Sequence, residues 1–297
     1  MQAFADFLER LVLTPQRNVK LRLMVDYFRS VADPDRGYAL AALTGDLSIP
    51  SVKPAMLRAL VADRVDEVLF AYSYDYVGDL AETISLVWPA RPGANRPPTL
   101  GEAVERLMVA SRSDGPRIVE AMLDGLDASG RWALIKLVTG GLRIGVSARL
   151  AKQALAELGD KPVNEIEEVW PGLTPPFAPL FAWLEGRAER PRATIPAPFR
   201  PVMLSHPLGD DDLTMITPHD YAAEWKWDGI RVQAVSEGDV ARLYTRTGDD
   251  ISAAFPDVVA ALDFGGALDG ELLIGRRDDT GFATGSFSEL QQRLNRK

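Results

Sequence analysis

The 297-residue sequence contains no cysteine. That excludes disulfide staples, thiolate metal sites and a cysteine nucleophile, and it fits a reducing compartment. Histidine occurs only at His206 and His219, so a three-histidine metal centre cannot be assembled from this chain. No apolar run reaches the roughly 18 residues that a membrane-spanning helix needs. The opening "MQAFADFLERLVLTP" carries acids and lacks an apolar core, so no secretory leader is expected. What is present is a 46% hydrophobic composition, enough for ordinary cores, on a length that suits two domains.

Charge is spread unevenly. Residues 1–200 hold 24 Lys+Arg and 25 Asp+Glu, whereas residues 201–297 hold 9 and 17. The formal net charge of −9 therefore comes mostly from the last third. Bulk acidity speaks against nucleic acid, but local charge matters more. From Ala128 to Ala156 there is no acid, while Arg131, Lys136, Arg143, Arg149 and Lys152 are all cations.

Apolar periodicity predicts helices through residue 185 or so. "FADFLERLV" places Phe4, Phe7, Leu8 and Leu11 on one face. Similar stripes follow in "NVKLRLMVDYF", "SVKPAMLRALVADRV", "YVGDLAETISLVW", "GRWALIKLVTG" and "SARLAKQALAEL". Pro15, "ADPDRG", "SIPS" and "SDGP" punctuate them, and Ser111 or Ser113 is the expected cap of the helix carrying "RIVEAML". "GRAERPRATIPAPFRP" has four prolines and no helical period, so it is expected to be a linker or an extended crossing segment. The domain boundary is placed near residue 200, giving a helical domain over 1–200 and a second domain over 201–297. The second has an α+β order. Strands are predicted at "YAAEWKW" and "IRVQAV", turning at Asp228-Gly229, and at "DVARLYT" after the turn "SEGD". A helix over "ISAAFPDVVAALD", started by Ser252, a strand at "GALDGELLIG" and a helix at "FSELQQRLNRK" complete it.

No Walker loop and no dinucleotide fingerprint occurs, so phosphates bound here must be held largely by side chains. Lys226 alternates with Glu224 along one predicted strand and precedes Asp228-Gly229. A charged hairpin rim explains this pattern as well as a nucleophile does. An amine attacks only when unprotonated, which burial or a neighbouring cation such as Arg231 favours. Trp225 and Trp227 would exclude water from the lysine or simply fill a core. Arg246, Asp269 and Glu271 follow on neighbouring predicted elements. Singly each is weak; together they form a nucleophile, cation and carboxylate set in one small domain.

Three stretches carry a family resemblance. "KWDGIR", Lys226 to Arg231, resembles the K-x-D-G-x-R signature of covalent nucleotidyltransferases, and "TRTG", Thr245 to Gly248, and "LDGEL", Leu268 to Leu272, resemble the motifs that follow it. Arg246 lies 20 residues and Glu271 45 residues after the lysine, in agreement with that family. The helical front, above all "LIKLVTGGLRIGVSARLAKQALA", resembles the DNA-binding domain of large bacterial ATP-dependent DNA ligases, and "RPVMLSHPL" resembles their entry into the adenylation domain. Relatives that use NAD usually carry alanine where this chain has Arg231.

The resemblance implies a multidomain fold: an all-α DNA-binding domain followed by an α+β adenylation domain, of which this chain holds the front part. It implies Lys226 as the adenylated nucleophile, with Glu224, Arg231, Arg246 and Glu271 around ATP, and Glu271 at Mg²⁺. It implies a DNA face built from Arg131, Lys136, Gly140, Gly141, Arg143, Gly145, Ser147, Arg149 and Lys152. The implied partner is nicked double-stranded DNA, with no membrane, and the implied protein is a cytoplasmic, nucleoid-associated bacterial monomer. A DNA-binding protein with a degenerate nucleotidyltransferase domain and an RNA end-joining ligase are the competing readings.

Overall fold

The computed structural model describes all residues except 90, 92–95, 141, 193–195, 204, 206, 279–280 and 295–297. Of the expectations above, Gly141 and His206 thus lie outside the described residues. The chain divides into two compact units. One comprises Met1–Ile166 and Leu173–Pro191, the other Glu167–Gly172 and Arg192–Lys297.

The front is all-α: α1 (Gln2–Leu13), α2 (Arg17–Ser30), α3 (Asp35–Thr44), α4 (Pro54–Ala62), α5 (Glu67–Val77), α6 (Leu80–Val87), α7 (Leu100–Met108), α8 (Gly115–Gly125), α9 (Ala128–Thr139), α10 (Ala148–Gly159), α11 (Val163–Val169) and α12 (Ala178–Leu184). The α1 stripe is buried as its spacing demands, with Phe7 stacked on Tyr27 of α2 at 4.1 Å between ring centroids. Helix starts are written in the sequence by acceptor side chains. Asp66, Asp79, Asp127 and Ser147 each accept an amide of the first turn, and Thr99 forms a capping box with Glu102. The expected cap of α8 is corrected: the helix begins at Gly115, and the Ser111 hydroxyl accepts the Asp114 amide one turn too early to cap it.

Buried cations tie the helices together. Arg36 of α3 donates to Asp33, to the Phe28 carbonyl and to Glu185 after α12, and its guanidinium lies 4.3 Å from the Phe181 ring centre. The Arg36 hydrogen bond holds the Glu185 carboxyl down to about 2, against the opposing effect of burial and with help from Arg187. A depressed carboxyl contributes stability that is complete above its ordinary value and lost as pH falls toward its folded value. We therefore expect the melting temperature of the helical unit to fall as pH drops from 4.5 to about 2. Glu185→Gln should be less stable near neutrality and should show a shallower fall across that window; an unchanged acid slope would contradict the pairing.

In the second unit α13 (Asp210–Leu213) precedes an antiparallel sheet of β1 (Ile230–Glu237), β2 (Val240–Thr245) and β3 (Gly266–Leu272), in the order β2-β1-β3. Beside it stand α14 (Pro256–Ala260), the hairpin β4 (Gly275–Asp278) and β5 (Gly281–Thr284), and α15 (Phe287–Leu294). One face of the sheet, with Val232 and Leu243, packs on Ile251, Phe255 and Leu290. Three sequence expectations are corrected here. Residues 221–229 form no strand, and because β2 and β3 occupy both edges of β1, no hairpin closes onto β1 across Asp228-Gly229. The helix expected over 251–263 is a short 3₁₀ turn, Ser252–Ala254, followed by α14. Pro256 has no amide to continue a helix, and Ser252 binds the Leu243 amide of β2 at 3.0 Å. The hairpin β4–β5 was not anticipated.

Candidate active site and candidate DNA-facing loop

Strand register decides which candidates meet. Arg231 of β1 lies opposite Glu271 of β3, and Gln233 lies opposite both Asp269 of β3 and Tyr244 of β2. Side chains two residues apart share a sheet face, so Arg231, Gln233 and Val235 project together, away from the α14–α15 side. Part of this face is covered by the stretch Ala197–Arg200, which enters it through a left-handed Ala197. Tyr244 donates to the Ala197 carbonyl at 2.8 Å, Glu237 accepts the Ala197 amide at 3.1 Å, and Ala197 packs on Val235 and Tyr244.

Gln233 joins the covered part to the open part. It is 4% exposed and fully bonded: its amide oxygen accepts the Arg200 amide at 2.6 Å, and its nitrogen donates to the Arg200 carbonyl and to Asp269, both at 2.9 Å. Asp269 also accepts Arg231 at 3.2 Å. The Arg231 Nε is buried without a partner among the described residues. An orphaned cationic donor on this face is suited to an anionic ligand.

Glu271 has a defined task in the protein itself. Its Oε1 accepts the Gly229 amide at 3.2 Å, which ties the K-x-D-G stretch to β3 three residues after Lys226. Only glycine fits there: a Cβ on residue 229 would lie 2.3 Å from the Leu272 carbonyl oxygen. The structure thus brings together Gly229, Arg231, Gln233, Asp269 and Glu271. Glu224, Lys226 and Arg246 are exposed and make no hydrogen bond or ion pair among the described residues. The expectation that Trp225 and Trp227 are core aromatics or shield the lysine is corrected. They are 86% and 52% exposed, since the segment carrying them has no sheet partner.

No group of three acidic or imidazole side chains placed to hold a metal ion occurs among the described residues. Magnesium does not need one, because it commonly takes one or two carboxylates and completes its shell with water and substrate phosphates. Glu271 fits that pattern as a single carboxylate ligand.

On the helical unit, the acid-free stretch separates into inward and outward cations. Arg131 is buried and donates to the Leu123 and Trp88 carbonyls at 2.8 and 3.1 Å. Lys136 donates to Asp79, the cap of α6, at 2.6 Å. These two fasten α9 to its neighbours. Gly140, in the left-handed conformation, ends α9. Arg143, Gly145, Ser147 and Arg149 are exposed on the loop and first turn of α10, and Lys152 follows, partly buried. Gln233, Tyr244 and Lys20 were missed from sequence. The first two read as ordinary strand residues and the last as a surface lysine.

Residues 203–297 match the family described as ATP dependent DNA ligase domain, so a domain of that family occupies this part of the chain. Across the whole chain the similarity is to "Probable DNA ligase" of Anaeromyxobacter sp. (strain K), 28% identical over 99% of this chain and 55% of that protein. The "Probable DNA ligase" of Koribacter versatilis (strain Ellin345) is 27% identical over 100% of this chain and 53% of its own length. "DNA ligase 1" of Korarchaeum cryptofilum (strain OPF8) is 27% identical over 93% and 53%. The chain thus spans about half the length of the curated relatives it matches.

Proposed function

We propose that the full-length protein is an ATP-dependent DNA ligase that seals nicks between a 5′-phosphate and a 3′-hydroxyl through a covalent lysyl-AMP. The observation carrying this reading is the "KWDGIR" motif, anchored by the Gly229 amide on Glu271, inside a DNA ligase domain. In the first step the Lys226 amine attacks the α-phosphorus of ATP. The bond to the bridging oxygen breaks, and pyrophosphate leaves with the electron pair. AMP next passes to the nick 5′-phosphate, and the 3′-hydroxyl then displaces AMP to close the backbone. Arg231, with its unpartnered Nε, and Arg246 contribute positive charge to the nucleotide or nick phosphate. Main-chain groups near Glu224 face the adenine edge. Glu271 holds a ribose hydroxyl or Mg²⁺, which would neutralise charge at the phosphates. Residues 1–200 serve as the DNA-binding domain and 201–297 as the front of the adenylation domain. The reading includes a cytoplasmic enzyme acting as a monomer on nucleoid DNA; the bacterial relatives support only a bacterial protein.

Full-length protein should be offered matched nicks made of DNA, of DNA with an RNA 3′-hydroxyl strand, and of RNA alone, each with ATP or NAD⁺. Sealing of the all-DNA nick with ATP is expected. Exclusive sealing of the all-RNA nick, or use of NAD⁺ alone, would overturn the reading.

The DNA face in this proposal is Gly140 to Lys152. Such backbone contacts are sequence-independent, as a nick-sealing enzyme requires. Reversing Arg143 and Arg149 to glutamate should weaken nick binding by at least about tenfold and lower the salt slope by roughly 2, two phosphate contacts being lost. Filter binding across a salt series measures both; unchanged affinity and slope would place the DNA face elsewhere.

A further inference from the structure

Lys20 of α2 lies outside every motif, yet it is the cation most closely fitted to the proposed DNA-facing loop. It is only 7% exposed. Its ammonium donates to the carbonyl oxygens of Ile144 and Gly145 at 2.7 and 3.1 Å. No carboxylate pairs with it among the described residues, and burial pushes its pKa down. Two neutral carbonyls are thus the anchors of a buried amine. A carboxylate would satisfy the charge better, so the arrangement is about holding the loop.

The consequences for the loop follow from peptide geometry. In a planar trans peptide the N–H points opposite to the C=O. With the Ile144 and Gly145 carbonyls turned onto Lys20, the amides of Gly145 and Val146 point away from it. Gly145 takes a left-handed φ of +67°, and a Cβ there would lie 2.7 Å from the Lys20 Nζ. Ile144 is buried, which fixes the loop on the same side as the lysine. Arg143, Ser147 and Arg149, flanking these two peptides, remain exposed.

We infer that Lys20 is a positioning residue for DNA binding: it holds residues 143–147 with their amide edge and flanking arginines presented to duplex phosphates, without touching DNA itself. The inference rests on the proposal that this loop is the DNA face.

The test measures binding of a nicked DNA duplex by full-length wild type, Lys20→Met, Arg143→Glu/Arg149→Glu, and the combination, with folding checked by circular dichroism. Lys20→Met should weaken binding by about tenfold in the wild-type background and by less than about twofold when both arginines are already reversed, because both changes act through one loop. Amide exchange should quicken within 143–147 in Lys20→Met while α1 stays protected. Equal losses in both backgrounds would mean that Lys20 acts independently of the loop, and would overturn the inference. So would unchanged affinity in Lys20→Met beside a weakened arginine variant, which leaves the DNA face intact as a reading. Unchanged affinity in the arginine variant would instead overturn the DNA face, and this inference with it. If Lys20→Met does not fold, Gly145→Ala disturbs the same contact from the loop side and should give the same non-additive loss; an additive loss there overturns the inference equally.

Discussion

Lys226→Ala in the full-length protein is expected to abolish ATP-dependent nick joining, by at least about a thousandfold, since it removes the proposed nucleophile, on which every later step of the proposed mechanism depends. Lys226→Arg should fail equally, because a guanidinium stays protonated and is a poor nucleophile. The loss should be confined to the first step. A nick prepared with AMP already on its 5′-phosphate needs no lysyl adduct, so both variants should still close it. That comparison separates lost chemistry from lost structure. Lys226 is exposed and makes no ion pair among the described residues, so neither substitution removes a packing contact. Failure on both substrates would point to a folding or DNA-binding defect; joining of the ordinary nick by Lys226→Ala would remove the lysine from the mechanism.

The second large effect lies far from any chemistry. Gly37→Ala, on α3, should destabilise the helical unit by about 3 kcal/mol or more, or roughly 10 °C in melting temperature. Its Cβ would sit 1.6 Å from the Pro176 carbonyl oxygen and 2.6 Å from the carbonyl carbon. These are backbone atoms, so no side-chain rotation relieves the clash; the segment before α12 must move away from α3. That segment leads into Phe177, Leu180 and Phe181, all buried, and Phe181 lies under Arg36. A shift would therefore loosen the Arg36–Glu185 tie as well. Thermal melts of the two proteins decide it, and equal melting temperatures would contradict this packing.

Most of the helical front is legible because its information is local. Spacing places Phe4, Phe7, Leu8 and Leu11 on one stripe, and glycines such as Gly45, Gly78 and Gly140 end helices in the left-handed conformation. The β1–β2 hairpin is equally readable from its turn at Gly238. What escaped depends on partners distant in sequence. The alternation through Trp225 and Trp227 reads as a strand hairpinned to β1, but both edges of β1 are taken by β2 and β3. Gln233 reads as a solvent-facing strand residue until Arg200 is laid across it. Arg131 and Lys136 read as surface cations because the Trp88 carbonyl and Asp79 that receive them lie some 40 to 60 residues away. β4 carries Arg276, Arg277 and Asp278 in place of an apolar alternation, so nothing in its pattern announces a strand.

In the candidate site, sequence supplied the identities and register supplied the company they keep. The motif spacing singled out Lys226, Arg231 and Glu271. That Glu271 holds the Gly229 amide, while Asp269 joins Arg231 to Gln233, follows only from β3 pairing with β1. Glu271 is consequently both a positioning group for the motif and a candidate ligand.

The most direct test of the central claim is to locate the adduct. Full-length protein incubated with ATP and Mg²⁺, without DNA, should gain one AMP that is released by acid, as a phosphoramidate is. Peptide mapping by mass spectrometry should find it on the peptide containing Lys226 and nowhere else. AMP on any other residue, or no adduct in protein that joins nicks, would contradict the account.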